Sequence, residues 1–273
     1  MTDQYSAMTE EHSVVRCAID ARGVAAVTLN RPAVGNAYDG ALIDGLVATF
    51  ARLAHEPGLR CVVLRGAGRH FQAGADLSFL RRLQAVPEAE NLDFSRRTMA
   101  AIEGLQYFPR PTVAVVHGGC FGGGVGIAAA CDIAIAAEDA VFAISEVRWG
   151  ITAAPVIPLL ARRLGPRALG RWALTGERFG AAEALRIGLV HEICPAAELD
   201  AEAARVVDGL LMAAPEATAM TKQLVAEAVA ASDTPALRER IAGEAAGRRR
   251  LPEAAEGLAS FAEKRRPLWY PAG

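Results

Sequence analysis

The chain has 273 residues, 52% hydrophobic and 22% charged, which suffices for a sizeable core and excludes a disordered or fibrous class. A net charge of −2 and a sequence pI near 6.2 leave no basic field for nonspecific nucleic-acid binding. No run of roughly eighteen apolar residues offers a membrane span, and the polar, acidic start MTDQYSAMTEEH lacks the basic and apolar segments of a signal peptide. The expectation is a cytoplasmic protein with neither a membrane nor a nucleic-acid partner, folded as one domain or one domain with an appendage.

Lys222 and Lys264 are the only lysines, so contacts with an anionic ligand must be local and otherwise made by arginine. Cys17, Cys61, Cys120, Cys131 and Cys194 are odd in number, scattered and without CxxC spacing, which suggests small core residues rather than disulfides or a zinc site.

In chain order, VVRCAIDARGVAAVTLNRP reads as two strands around the Ala21–Arg22–Gly23 turn, closed by Pro32. GALIDGLVATFARLAHEP has apolar residues at helical spacing until Glu56–Pro57 stops it. CVVLRG is a continuous apolar strand, covered on both faces. After the break at FQAGADL come a polar helix over about 77–84 and an apolar-faced helix over about 93–105. PRPTVAVVHG gives the next buried strand, GGVGIAAACD a small-residue helix, and IAIAAED and AVFAIS two short strands. PVIPLLARRLG, PRALGRWALTG and GAAEALRIG read as helices and LVHEIC as a strand. Beyond Pro195 the chain is almost entirely helical. The plan is a layered α/β core with a helical C-terminal module.

Two glycine-rich openings follow β-branched runs: FQAGADL at residues 71–77 and HGGCFGGGVG at residues 117–126. A strand opening onto glycines exposes backbone N–H groups. Two such openings could aim two donors at one oxygen, as in the stabilisation of an enolate or a tetrahedral oxyanion. The competing readings are weaker. Gly124-Val-Gly126-Ile-Ala-Ala129 satisfies GxGxxA, but the first glycine does not follow its strand directly and no acid ends a second strand at the right distance. P-loop, GxSxG and HExxH motifs are absent. Glycines that merely let a helix pack closely are the remaining alternative.

Glu146, in AISEVRWG, stands at a strand end with an apolar flank and Trp149 nearby. Desolvation there would raise its pKa toward neutrality, although a lone glutamate is more often solvated or salt-bridged. Asp76 reads first as the N-cap of the next helix and second as a further acid. Asp132 and the histidines 55, 70, 117 and 191 have no partner at ligand or triad spacing.

FQAGADL, HGGCFGGGVGIAAACDIAIA, FAISEVRWGI, TGERFGAAEALRIGLVHEI and the closing FAEKRRP together resemble the enoyl-CoA hydratase/isomerase (crotonase) superfamily over about Val14 to Pro267. The resemblance implies a crotonase-like spiral of ββα turns over residues 1–195 and a helical trimerisation module over residues 196–273, with a homotrimer or hexamer as the assembly. It implies a CoA thioester as substrate, no separate cofactor and no metal. The thioester carbonyl would lie between the Ala75 and Gly123 N–H groups, with Glu146 as acid and base. Further substrate contacts implied are Gln72, Ala73, Gly74, Asp76, Leu77, Gly122 and Trp149, with Arg31 and Lys264 at the CoA phosphates. Similar hydratases carry a second glutamate in the pattern GGGxE, where this chain has Gly126. ITAAP replaces the commoner PGAGG, which suggests an unusual acyl pocket. The leading expectation is reversible hydration of a 2-enoyl-CoA, branched acyl groups included, with EVR-G and TGERF segments most like those of branched glutaconyl-CoA hydratases. The runner-up is Δ3-to-Δ2 isomerisation by one glutamate, and a catalytically silent binding protein is the reading from another class.

Overall fold

The computed structural model describes residues 13–230 and 234–271; the segment 1–12, which carried the expectation about a leader, lies outside them. Strands β1 (Val15–Ile19), β2 (Val24–Leu29), β3 (Cys61–Gly66), β4 (Thr112–Val116), β6 (Ile133–Ala137) and β9 (Glu192–Cys194) form a sheet in the order β1-β2-β3-β4-β6-β9. Only the β1–β2 hairpin is antiparallel. A second sheet sets β5 (Gly119–Phe121) parallel to β7 (Val141–Ala143), and β7 antiparallel to β8 (Arg178–Gly180). The chain passes from β4 to β5 and from β6 to β7, crossing from one sheet to the other before each following helix. These are the ββα turns that the resemblance implies.

The apolar runs of β3 and β4 are almost wholly buried, as expected of central parallel strands covered on both faces. α1 (Gly40–Leu53) begins at Asp39, whose carboxylate accepts the Leu42 N–H, and turns Leu42, Ile43, Leu46, Phe50 and Leu53 inward. α2 (Leu77–Leu83) is capped by Asp76. α3 (Glu88–Gln106) starts a turn earlier than its apolar stripe indicates, because Pro87 opens it and Glu88 and Glu90 occupy its first turn. α4 (Gly123–Ala130) is buried along its whole length, which its small residues permit. α5 (Ile157–Thr175) carries a break at Gly165 (φ 73°, ψ 159°) where the sequence suggests two helices. α6 (Ala181–Arg186) leads to β9, and α7 (Leu199–Met212) lays Ala203, Val206, Val207 and Leu211 into the main core. α8 (Pro215–Ala230), α9 (Pro235–Arg248) and α10 (Pro252–Ala262) complete the helical C-terminal region.

Four of the five cysteines are buried and the fifth, Cys17, is half-buried. Burial pushes the Cys61 thiol up to about 12, so it behaves as the small core residue that the sequence suggests. Among the described residues no cluster could hold a metal ion, and no helix is long and apolar enough to cross a membrane.

Candidate active site

The two glycine openings meet. Gln72 N–H donates to the Gly119 carbonyl, and Phe121 N–H to the Gln72 carbonyl, which stitches the first loop to β5 ahead of the second. Tyr38 pairs with the first loop from the other side: its N–H donates to Gly74 O, and its carbonyl accepts Asp76 N–H, both at 2.9 Å. The N–H of Ala75, lying between those bonds, and the N–H of Gly123, the first residue of α4, have no acceptor among the described residues. Both residues line one cavity of about 800 Å³. Two unengaged donors at one cavity wall are what a developing oxyanion needs.

Glu146 lines the same cavity. The chain leaves β7 through a short 3₁₀ turn, Glu146–Trp149, and that turn delivers the carboxylate to the second loop. A Cβ added to Gly122 would lie 2.8 Å from Glu146 Oε1, and Gly122 has φ 53°. Glycine is therefore required here for its backbone conformation and for the approach of the acid. Oε2 is buried without a hydrogen-bond partner, and desolvation raises the carboxyl above its ordinary value of 4.5. One oxygen of the carboxylate is thus buried and unpaired, and no ion pair reaches Glu146 among the described residues.

Ala73, Gly74, Leu77, Gly122 and Trp149 line the cavity, with Trp149 61% exposed at its mouth. Gln72 sits behind the loop. It is fully buried, its amide donates to Gly74 O, and its Oε1 accepts the Gly74 N–H, so it braces the Ala75 turn rather than facing a ligand. Asp76 is the cap: it accepts from the Ser78 hydroxyl and the Phe79 N–H, which together with Arg31 hold it down to about 2. Arg31 bridges Asp39 at 3.0 Å and Asp76 at 3.1 Å, tying the caps of α1 and α2 together, so its charge is already met by two carboxylates. Lys264 lies past the end of α10, exposed, away from the cavity walls and without an ion-pair partner among the described residues.

Sequence reasoning missed Tyr38, whose ring lies against Gly123: a Cβ there would fall 2.5 Å from Tyr38 Cε1. It also missed Val156, which occupies the space beside Gly126. Neither stands in a glycine motif, and both reach the site only through the packing of α1 and α5. Apolar side chains on the walls come from Ile43 on α1, Leu80 and Leu83 on α2, and Phe94, Met99 and Ile102 on α3, with the polar Asn91, Ser95 and Thr98 of α3 interspersed.

Comparison with known proteins gives the same family over the whole fold. The family profile described as enoyl-CoA hydratase/isomerase matches residues 20–271. A Thermus thermophilus protein with a provisional enoyl-CoA hydratase name is 37% identical over 202 residues, which is 74% of this chain and 80% of that protein. A mitochondrial Delta(3,5)-Delta(2,4)-dienoyl-CoA isomerase of Pongo abelii is 34% identical over 65% of this chain and 57% of its own length. Among solved structures, an enoyl-CoA hydratase from Shewanella pealeana superposes with a TM-score of 0.90 at 32% identity, covering 97% of this chain and 99% of that one.

Proposed function

The chain belongs to the enoyl-CoA hydratase/isomerase family of enzymes, and we propose that it adds water reversibly across the C2–C3 double bond of a 2-enoyl-CoA thioester. The observation that carries this reading is the buried, unpartnered Oε2 of Glu146 on the same cavity as the free Ala75 and Gly123 N–H groups. Glu146 takes one proton from water as the oxygen bonds to C3. The π electrons move toward the thioester, the enolate oxygen is held by the two N–H donors, and Glu146 returns the proton to C2. One water supplies both the hydroxyl and the new C–H, so a single carboxylate balances the reaction and no further cofactor is called for.

The acyl chain would enter the apolar wall formed by α1, α2 and α3. The cavity of about 800 Å³ must take both the acyl group and the thioester end of the CoA arm. Lys264, exposed and without a carboxylate partner, is proposed to meet CoA phosphates, including those of a neighbouring subunit. Leu258 and Phe261 on α10 and Leu268 just past it are 70%, 86% and 82% exposed, apolar surface that a homotrimer, alone or paired as a hexamer, would cover.

The second reading, migration of a double bond from C3 to C2, is favoured by one observation: Val156 fills the place beside Gly126, so the second loop carries no carboxylate. Incubation with a panel of 2-enoyl- and 3-enoyl-CoA esters in ¹⁸O-water and in deuterium oxide separates the two. Incorporation of solvent oxygen into a 3-hydroxyacyl product is expected; deuterium at carbon with no oxygen incorporation across the panel would promote the isomerase.

A further inference from the structure

Hydration asks more of a site than moving a proton does, because a water molecule must be aimed at C3 while Glu146 takes its proton. The titratable groups lining the cavity are Glu146, Tyr38, Arg148 and Arg178. The two arginines do not trade protons near neutrality. Arg148 Nε donates to the Thr175 carbonyl, and the Arg178 guanidinium lies 5.4 Å from the Phe121 ring centroid. Tyr38 remains.

Tyr38 is fixed by both oxyanion loops. Its main chain brackets Ala75 through the bonds to Gly74 and Asp76, and its ring covers Gly123 so closely that a Cβ would meet Cε1 at 2.5 Å. On its other side the ring stacks with Phe94, with centroids 6.5 Å apart and planes 23° from parallel. The ring is thus held, while the hydroxyl has no hydrogen-bond partner among the described residues, in a cavity that also holds the Glu146 carboxylate. Tyr38 is half-buried and lines the cavity, so its unbonded hydroxyl is available to a water bound there.

We propose that the Tyr38 hydroxyl is a catalytic contact for hydration, accepting the hydrogen that stays on the water oxygen while Glu146 removes the other. Water then has both hydrogens committed and one lone pair turned to C3. The same contact holds the C3 hydroxyl in the reverse reaction. Tyr38 exchanges no proton, so the balance of the reaction is unchanged. Burial, followed by the nearby Glu146 charge, pushes the phenol up to about 12, and it stays protonated at working pH. Tyr38 thereby supplies a second polar contact on the Gly123 side of a site whose Gly126 side is closed by Val156. The inference rests on the hydration reading above.

The test compares wild type, Tyr38→Phe and Tyr38→Met, each checked for folding by its melting midpoint; the methionine variant serves if the phenylalanine variant does not fold. Two rates are measured: ¹⁸O incorporation into the 3-hydroxyacyl product of a 2-enoyl-CoA, and deuterium exchange at C2 of the saturated acyl-CoA, which needs Glu146 and the oxyanion donors but no water nucleophile. Loss of one hydrogen bond at the reacting oxygen should lower kcat for hydration about 10- to 100-fold with KM within threefold, and leave the exchange rate within threefold. Equal falls in both rates would mean that Tyr38 only packs the site and would overturn the proposal, as would hydration within threefold of wild type. A wild-type enzyme that exchanges deuterium but incorporates no oxygen would overturn the hydration reading itself, and the role of Tyr38 with it.

Discussion

Val156 stands where a side chain on Gly126 would begin: a Cβ there would lie 2.2 Å from Val156 Cγ1 and 2.8 Å from its Cβ. Valine is short and stiff at χ1, so it cannot swing aside as a long side chain would. Gly126, at the position of the second glutamate of the GGGxE pattern, is therefore packed against the segment after Gly150, which brings Val156 onto α4. Overpacking of this kind costs about 1–3 kcal/mol. Gly126→Ala should lower the melting midpoint by several degrees, and Gly126→Glu should give a second acid only when combined with Val156→Gly. Calorimetry of the three variants checks this; an unchanged midpoint for Gly126→Ala would refute the contact.

Glu146 couples activity and stability to pH with opposite signs. Burial raises its pKa, so the folded protein binds this proton more readily than the unfolded chain does. The contribution to stability is complete below the usual glutamate value of 4.5 and is lost as pH rises through the raised value in the fold. Glu146→Gln, which cannot ionise, should therefore melt above wild type at pH 8, with the difference vanishing near pH 4. Turnover should fall about 10²- to 10⁴-fold, and the acid limb of wild-type kcat/KM should lie above pH 4.5. Equal melting midpoints at pH 8 would contradict the desolvated carboxylate.

Removing the Ala75 N–H should cost about 10²- to 10³-fold in kcat. Ala75→Pro deletes that donor and no other recorded bond, because the flanking bonds use Gly74 O and Asp76 N–H. Turnover near the wild-type rate in a folded variant would remove Ala75 from the oxyanion site.

Lys222 is predicted to matter for stability and not for chemistry. Its Nζ lies 2.7 Å from Asp132 Oδ2, which also accepts the Thr112 N–H and hydroxyl, and so joins α8 to the ends of β4 and β6. Lys222→Met leaves that half-buried carboxylate without its counter-ion and should cost about 2–3 kcal/mol, while KM and kcat at 25 °C stay within twofold. Urea unfolding together with steady-state kinetics reads both; a stability change under 0.5 kcal/mol, the size of an ordinary surface substitution, would place the pair in solvent.

Several features were legible in the sequence because their causes are local. CVVLRG and TVAVV are strands because continuous β-branched runs fit a sheet covered on both faces. Asp76 caps α2 because its carboxylate reaches N–H groups two and three residues ahead. The glycine openings mark where backbone donors are exposed, and Glu146 stands out at its strand end. The three-residue strands β5 and β8 were not legible, since they exist only through pairing with β7. Nor were the bracing of Gly74 by Gln72, the commitment of Arg31 to Asp39 and Asp76, the ring of Tyr38 on Gly123, or Val156 against Gly126. The distinction is physical. Propensity, capping and periodicity act over a few residues and can be read along the chain, whereas close packing and desolvation depend on which distant segments share a space. The sequence by itself determined most of the elements, the two donor loops and the candidate acid; tertiary structure alone decided that one oxygen of that acid is buried without a hydrogen-bond partner, that the Tyr38 ring lines the same cavity and that Val156 occupies the space beside Gly126.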